Sequence, residues 1–186
     1  MMRLVVLGRD GVINERRADG VLDTGDWRPL PGALAAIARL HHAHFHVVVV
    51  NNEPAIGEGR MDPGALVRIH AHVAREVDTA GGRIDAMLYC PHGADEGCSC
   101  HLPAPGLLFE LQRRLETDLA GVTMISDSLE GIQAAEALNM HPVLVTSGLA
   151  ASLGDAVLRT LVGVEIQSDL GAAVTALLAR EALHPI

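Results

Sequence analysis

Lysine is missing from this chain altogether: of its 186 residues, the 14 basic ones are all arginine. Any mechanism that needs a lysine ammonium, whether to hold a phosphate or to form a Schiff base, is therefore excluded. Positive charge is scarce as well. Formal net charge is −9, and clustered basic residues of the kind that bind nucleic acid non-specifically are not seen. Long apolar runs are also lacking at the start of the chain. The N-terminal MMRLVVLGRD is too short an apolar stretch for a signal peptide or a membrane helix, so the expected location is the cytoplasm, with no membrane or nucleic-acid partner. Repeats, low-complexity tracts and linkers are absent too. With 49% hydrophobic and 20% charged residues, the composition is that of one globular domain over residues 1–186.

What is present alternates in period. Near-continuous apolar runs at Leu4–Leu7, His46–Val50, Ile84–Tyr89, Val122–Ser126, Pro142–Val145 and Val164–Ile166 read as strands buried on both faces, hence a parallel sheet. Between them lie amphipathic helices. One runs from Pro31 to His42, and another is opened by an Asp62 cap and Pro63, with Leu66, Ile69, Val73 and Val77 as its apolar stripe. Others begin at Pro105 and Leu129 and span Ser168 to Leu183. The pattern predicts an α/β fold: a doubly wound three-layer parallel sheet without a large cap, whose ligands bind at the carboxyl ends of the strands.

Three cysteines, Cys90, Cys98 and Cys100, fall within eleven residues, and His92 lies among them. In a reducing compartment this clustering favours metal over disulfide. Four such donors close a tetrahedron around zinc with no open position, so residues 90–101 are expected to form a structural zinc loop. Gly93 and Gly97 let it turn tightly, and His101 is a neighbour outside the ligand set. The other histidine cluster, His41, His42, His44 and His46, reads as a solvated turn, and His70 and His72 point to different faces of one helix.

The stretch LVVLGRDGVIN, Leu4 to Asn14, is a buried strand running out into a carboxylate loop. Together with WRPLPG at Trp27–Gly32, the segment Val47–Gly59, the C-P-H…C-x-C loop followed by P-x-P-G at Pro103–Gly106, and Ile125-Ser126-Asp127-Ser128, it gives the chain a resemblance. It resembles the haloacid-dehalogenase (HAD) superfamily, and within it the branch of D-glycero-D-manno-heptose 1,7-bisphosphate 7-phosphatases and histidinol phosphatases. The resemblance implies phosphoryl transfer to the first Asp of an Asp-x-Asp pair, with the second as acid/base. It implies Mg²⁺ held by that first Asp, a main-chain carbonyl and an Asp of the last motif. A Ser or Thr and a Lys would hold the phosphoryl oxygens.

Position by position, the chain departs from that scheme. Gly8 stands at the nucleophile and Asp10 at the acid/base. Asn51 takes the Thr place, Asn52 matches an Asn, and Leu102 replaces the phosphate-holding Lys. Glu53 and Glu58 add negative charge near a would-be anion, and Asp127 keeps the metal carboxylate. Loss of an activated nucleophile costs on the order of 10⁴–10⁶ in rate. The expectation is an impaired or inactive phosphatase relative with a binding or regulatory role toward an active paralogue or another protein. Asp10 keeps a residual acid/base position, and Asn14, Asn51 and Asn52 are candidate ligand contacts for a sugar phosphate. Asp10 and Asp127 form a weak or vestigial magnesium site. The alternative is an active Mg²⁺-dependent sugar-phosphate phosphatase that uses Asp10 in an altered mechanism, and a third reading is a non-catalytic pocket for a less anionic, hydroxyl-rich sugar.

Overall fold

The computed structural model of the chain describes residues 2–183; positions 1 and 184–186 of the expected 1–186 domain lie outside the described residues. Six strands form one sheet: β1 Leu4–Leu7, β2 His46–Asn52, β3 Ala86–Cys90, β4 Thr123–Ser126, β5 His141–Val145 and β6 Glu165–Gln167. Their order is β3-β2-β1-β4-β5-β6, and every neighbouring pair is parallel. All six expected strands are present, with ends shifted by one or two residues.

The continuous apolar runs are explained by burial on two sides. Side chains alternate across a strand. Val5 and Leu7 of β1 and Val47 and Val49 of β2 enter one core, while Leu4, Val6, Val48 and Val50 enter the other. The helices covering the sheet are α1 Ala33–His42, α2 Pro54–Gly57, α3 Pro63–Thr79, α4 Gly106–Leu115, α5 Leu129–Glu136, α6 Asp155–Leu158 and α7 Leu170–Leu183. Residues from α1, α3 and α7 fill the first core, including the predicted stripe Leu66, Ile69, Val73 and Val77. Leu107, Leu108 and Leu111 of α4 and Ala134 and Ala135 of α5 fill the second. Asp62 occupies the cap position of α3, but its side chain makes no capping bond, so the turn is set by Pro63 alone. Among the described residues there is no separate cap domain, and no helix is long and apolar enough to cross a membrane.

The chain leaves β1 to build toward β3 on one side, and returns to β4 on the other. The tips of β1 and β4 therefore flank the switch in strand order, the place where such sheets form a crevice. Gly8, just beyond β1, donates its N–H to the carbonyl of Ile125 in β4 at 2.8 Å and closes this floor.

Candidate active-site crevice and metal loop

A cavity of about 470 Å³ opens over these strand tips. Gly8, Asp10, Arg16, Asn51, Asn52, His101, Leu102, Ser126, Asp127 and Glu130 are among its lining residues. The fold thus brings together Asp10, Asn51, Asn52 and Asp127 as the sequence predicts. Asn14 stands apart from these four. It is fully buried, lies outside the cavity lining, and donates its amide to Asp10 Oδ1 at 2.9 Å and to the Glu15 carbonyl at 2.9 Å. A polar residue in a turn looks like a ligand contact from sequence; here it braces the loop.

Most charges of the crevice are internally paired. Arg9 is 1% exposed and forks onto Asp10, Nε to Oδ1 at 2.9 Å and Nη2 to Oδ2 at 3.0 Å. Its remaining nitrogen pairs with Glu53, which is itself buried. Asn51 donates to Glu53 Oε1 at 3.0 Å and reaches Asp10 Oδ2 at 3.5 Å. Burial alone would push the Asp10 carboxyl up. The Arg9 guanidinium beside it, helped by Asn14, outweighs that and holds it below the usual carboxylate range. For Glu53 burial wins: it is pushed up, with Arg9 pulling it down and Asp10 adding to the rise.

Asp127 carries a second guanidinium. Arg16 donates Nε to Oδ2 at 2.7 Å and Nη2 to Oδ1 at 2.9 Å, and Nη2 also lies 3.4 Å from the Asp10 carbonyl. The Leu149 N–H adds a bond to Oδ2 at 3.0 Å. Gly11 at φ +77° and Gly148 pass so close to this carboxylate that a Cβ on either would collide with it. Both arginines escape a local reading of the sequence. These two arginines supply positive charge at the crevice although lysine is absent, and each is bound to a carboxylate. Glu58, expected to add charge to the crevice, instead pairs with Arg60 at 2.8 Å on the exposed surface.

These donors do not suit magnesium. Gly8 supplies no carboxylate, both Asp127 oxygens accept from Arg16, and both Asp10 oxygens accept from Arg9. A hard divalent ion needs anionic oxygens free to face it.

The loop after β3 differs. Ligand atoms of Cys90, His92, Cys98 and Cys100 all lie within 4.8 Å of one another. Sulfur–sulfur separations are 3.6, 3.2 and 3.5 Å, and His92 Nδ1 sits 3.5 and 3.3 Å from Cys90 and Cys100. Donors bound to zinc at tetrahedral angles lie about 3.6–3.8 Å apart, so the set fits a zinc-sized ion after a small expansion. His101 points its Nδ1 at the His92 carbonyl, 3.1 Å away, and also lines the crevice. From there the chain joins β2: Leu102 N–H donates to Asn52 Oδ1 at 2.9 Å, and the Asn52 amide returns a bond to the Leu102 carbonyl at 3.2 Å.

Comparison with known proteins agrees with this architecture. A HAD-hydrolase-like family model matches residues 100–163. The chain is 42% identical over 147 residues to the D-glycero-beta-D-manno-heptose-1,7-bisphosphate 7-phosphatase of Bordetella bronchiseptica, covering 79% of this chain and 82% of that protein. It is 38% identical over 176 residues to the Pseudomonas aeruginosa protein of the same name, covering 94% and 97%. The crystal structure of the B. bronchiseptica D,D-heptose 1,7-bisphosphate phosphatase, complexed with magnesium and phosphate, superposes with a TM-score of 0.90 at 37% identity, over 96% of this chain and 99% of that one. Identity of this order along most of both partners, on the same fold, shows that the chain belongs to the heptose-bisphosphate phosphatase family of HAD proteins.

Proposed function

We propose that this chain is a catalytically silent member of its family that binds a ligand or partner without hydrolysing it. One observation carries the reading: at the tip of β1, on the floor of the crevice, stands Gly8. Transfer to an aspartate requires a carboxylate in line with phosphorus, and glycine offers none. Asp10 is no substitute. Its two oxygens accept from Arg9, Asn14 and Asn51, and an activated nucleophile or base needs a free lone pair aimed at the substrate.

The relatives are named for a doubly phosphorylated sugar. A dianionic phosphoryl group calls for unneutralised positive charge, whereas here each guanidinium is bound to a carboxylate and Leu102 lies where the family keeps a lysine. Asn51, Asn52, Ser126 and Ser128 remain as uncharged hydrogen-bonding groups around a cavity of monosaccharide size. That lining supports a neutral, hydroxyl-rich ligand. The regulated partner we propose is an active paralogue or another protein, and the compartment the cytoplasm. Cys90, His92, Cys98 and Cys100 would hold a structural zinc ion, which when bound fixes the loop that walls the crevice.

The test is phosphate release from D-glycero-D-manno-heptose 1,7-bisphosphate with Mg²⁺, alongside mass analysis for an aspartyl phosphate. No turnover and no adduct are expected. Turnover above ~0.1 s⁻¹, the low side of ordinary enzymes, overturns the reading. In thermal shift, neutral sugars should stabilise the chain more than their phosphates; the reverse order would refute the ligand class.

A further inference from the structure

We propose that the Arg16 guanidinium is the resident cation of this crevice, standing in for the divalent metal of the family and making the site independent of magnesium. The metal set implied by the family resemblance is a carboxylate at position 8, a main-chain carbonyl and the Asp127 carboxylate. Arg16 touches the two kinds of donor that this chain keeps. It grips both oxygens of Asp127, at 2.7 and 2.9 Å, and the same Nη2 lies 3.4 Å from the carbonyl of Asp10. One guanidinium thus joins the loop after β1 to the loop after β4, across 111 residues of sequence.

Charge explains why this replacement goes with Gly8. A dication between two carboxylates sums to zero, and so does a guanidinium on one carboxylate. With Arg16 in place, a second carboxylate at position 8 would leave excess negative charge over the strand tips, where Asp10, Glu53 and Glu130 already lie. On this charge count a glycine at position 8 and an arginine at position 16 suit each other. Space alone does not demand the glycine: a Cβ on Gly8 would meet Val12 Cγ2 at 3.2 Å, a tight contact that requires Val12 to yield by a few tenths of an ångström, and nothing closer.

Geometry favours the guanidinium over a competing ion. Its planar fork matches a carboxylate through two charge-assisted bonds. The Arg16 side chain is only 35% exposed, which limits screening by water. Magnesium would have to displace that fork, then complete its octahedron with one carboxylate, a carbonyl and water, and it sheds water reluctantly. Arg16 also links to the rest of the crevice mouth. Leu149 N–H shares Asp127 Oδ2, and the Ser147 hydroxyl donates to the Gly11 carbonyl at 2.7 Å, so both loops are tied without a metal.

The experiment is titration of the full, zinc-loaded chain with Mn²⁺ alone, followed by electron paramagnetic resonance; no chelator is used, which leaves the thiolate loop intact. Arg16→Gln should bind Mn²⁺ at least ~10-fold more tightly than the wild type, a change of about 1.4 kcal/mol. Adding Asp127→Asn to that variant should remove the gain. Equal affinity in wild type and Arg16→Gln, including no binding by either, overturns the proposal. Should Arg16→Gln fail to fold, the wild type is read against Asp127→Asn: unchanged Mn²⁺ binding supports the proposal and its loss overturns it. The inference rests on the same crevice as the functional reading but fails separately. Sugar-phosphate hydrolysis by the wild type would overturn catalytic silence, whereas equal Mn²⁺ affinities would overturn the role of Arg16 and leave Gly8 without a nucleophile.

Discussion

Two loops at the same edge of the sheet, on strands separated by β2, differ in how their polar side chains are satisfied. The loop after β3 keeps four soft donors at separations close to those a zinc ion imposes. The loop after β1 begins at Gly8, and its carboxylates are tied to arginines. The contrast separates a loop whose donors could take an ion from one whose charges are already paired within the chain. In the loop after β3 the cysteines pack into and against the second core, and a zinc ion, where bound, would cross-link them further. The β1 loop is ordered by buried neighbours, Val12 and Ile13, and by the main-chain bonds of Ile13 and Asn14 to the Arg9 carbonyl at 2.8 and 3.3 Å. A reactive side chain there can be lost without loss of packing.

The sharpest break of this comparison is at the thiolate loop. Cys100→Ala should lower zinc content from one equivalent, as read by elemental analysis, and cost about 5 kcal/mol or more in stability, in line with structural zinc sites. A smaller loss, with no metal in the wild type, would make both loops equally dispensable. Next comes Arg9→Met, which strands the buried Asp10 and Glu53 and should cost about 3–5 kcal/mol by denaturant unfolding. Without Arg9 those carboxyls titrate higher, so the cost should grow as pH rises through their raised values and shrink in acid. The third is reconstruction. Gly8→Asp alone should remain inactive, because Arg16 still holds Asp127. Gly8→Asp with Arg16→Ala and Leu102→Lys should raise Mg²⁺-dependent hydrolysis of an aryl phosphate by about 10²-fold over the single variant. A folded triple variant with no gain would show that the crevice has diverged beyond these three positions.

The smallest effect concerns His70, which lies edge-on to Tyr89 at 5.8 Å between ring centres. Burial, with repulsion from Arg9, pulls its pKa down from 6.5 to about 4. The unfolded chain therefore takes up a proton that the folded chain refuses. Stability should be full above pH 6.5 and decline as pH falls toward 4, by about 1–2 kcal/mol after allowing for partial exposure. His70→Phe should flatten that slope; an unchanged slope would place the titration elsewhere.

Much of this molecule was legible in its sequence, for reasons that particular residues make plain. Strands such as Val47–Val50 are apolar without a break because both faces of the sheet are covered, and that pattern needs no partner to be recognised. The metal loop was legible because its four donors are contiguous. Arg16 was not, since its partner is 111 residues away and an arginine in a polar loop carries no local signal. Glu53 and Glu58 show the same limit: their sign is evident, but only the fold shows that one is buried on Arg9 and the other lies on the surface with Arg60. Asn14 shows a further limit, because bracing a turn and contacting a ligand demand the same amide.

The paired amide bonds between Asn52 and Leu102 have a wider consequence. They form a seam between the cysteine loop and the mouth of the crevice. Through those two bonds a change in the loop, whether oxidation of its thiols or gain or loss of an ion, would reach the crevice wall at Asn52.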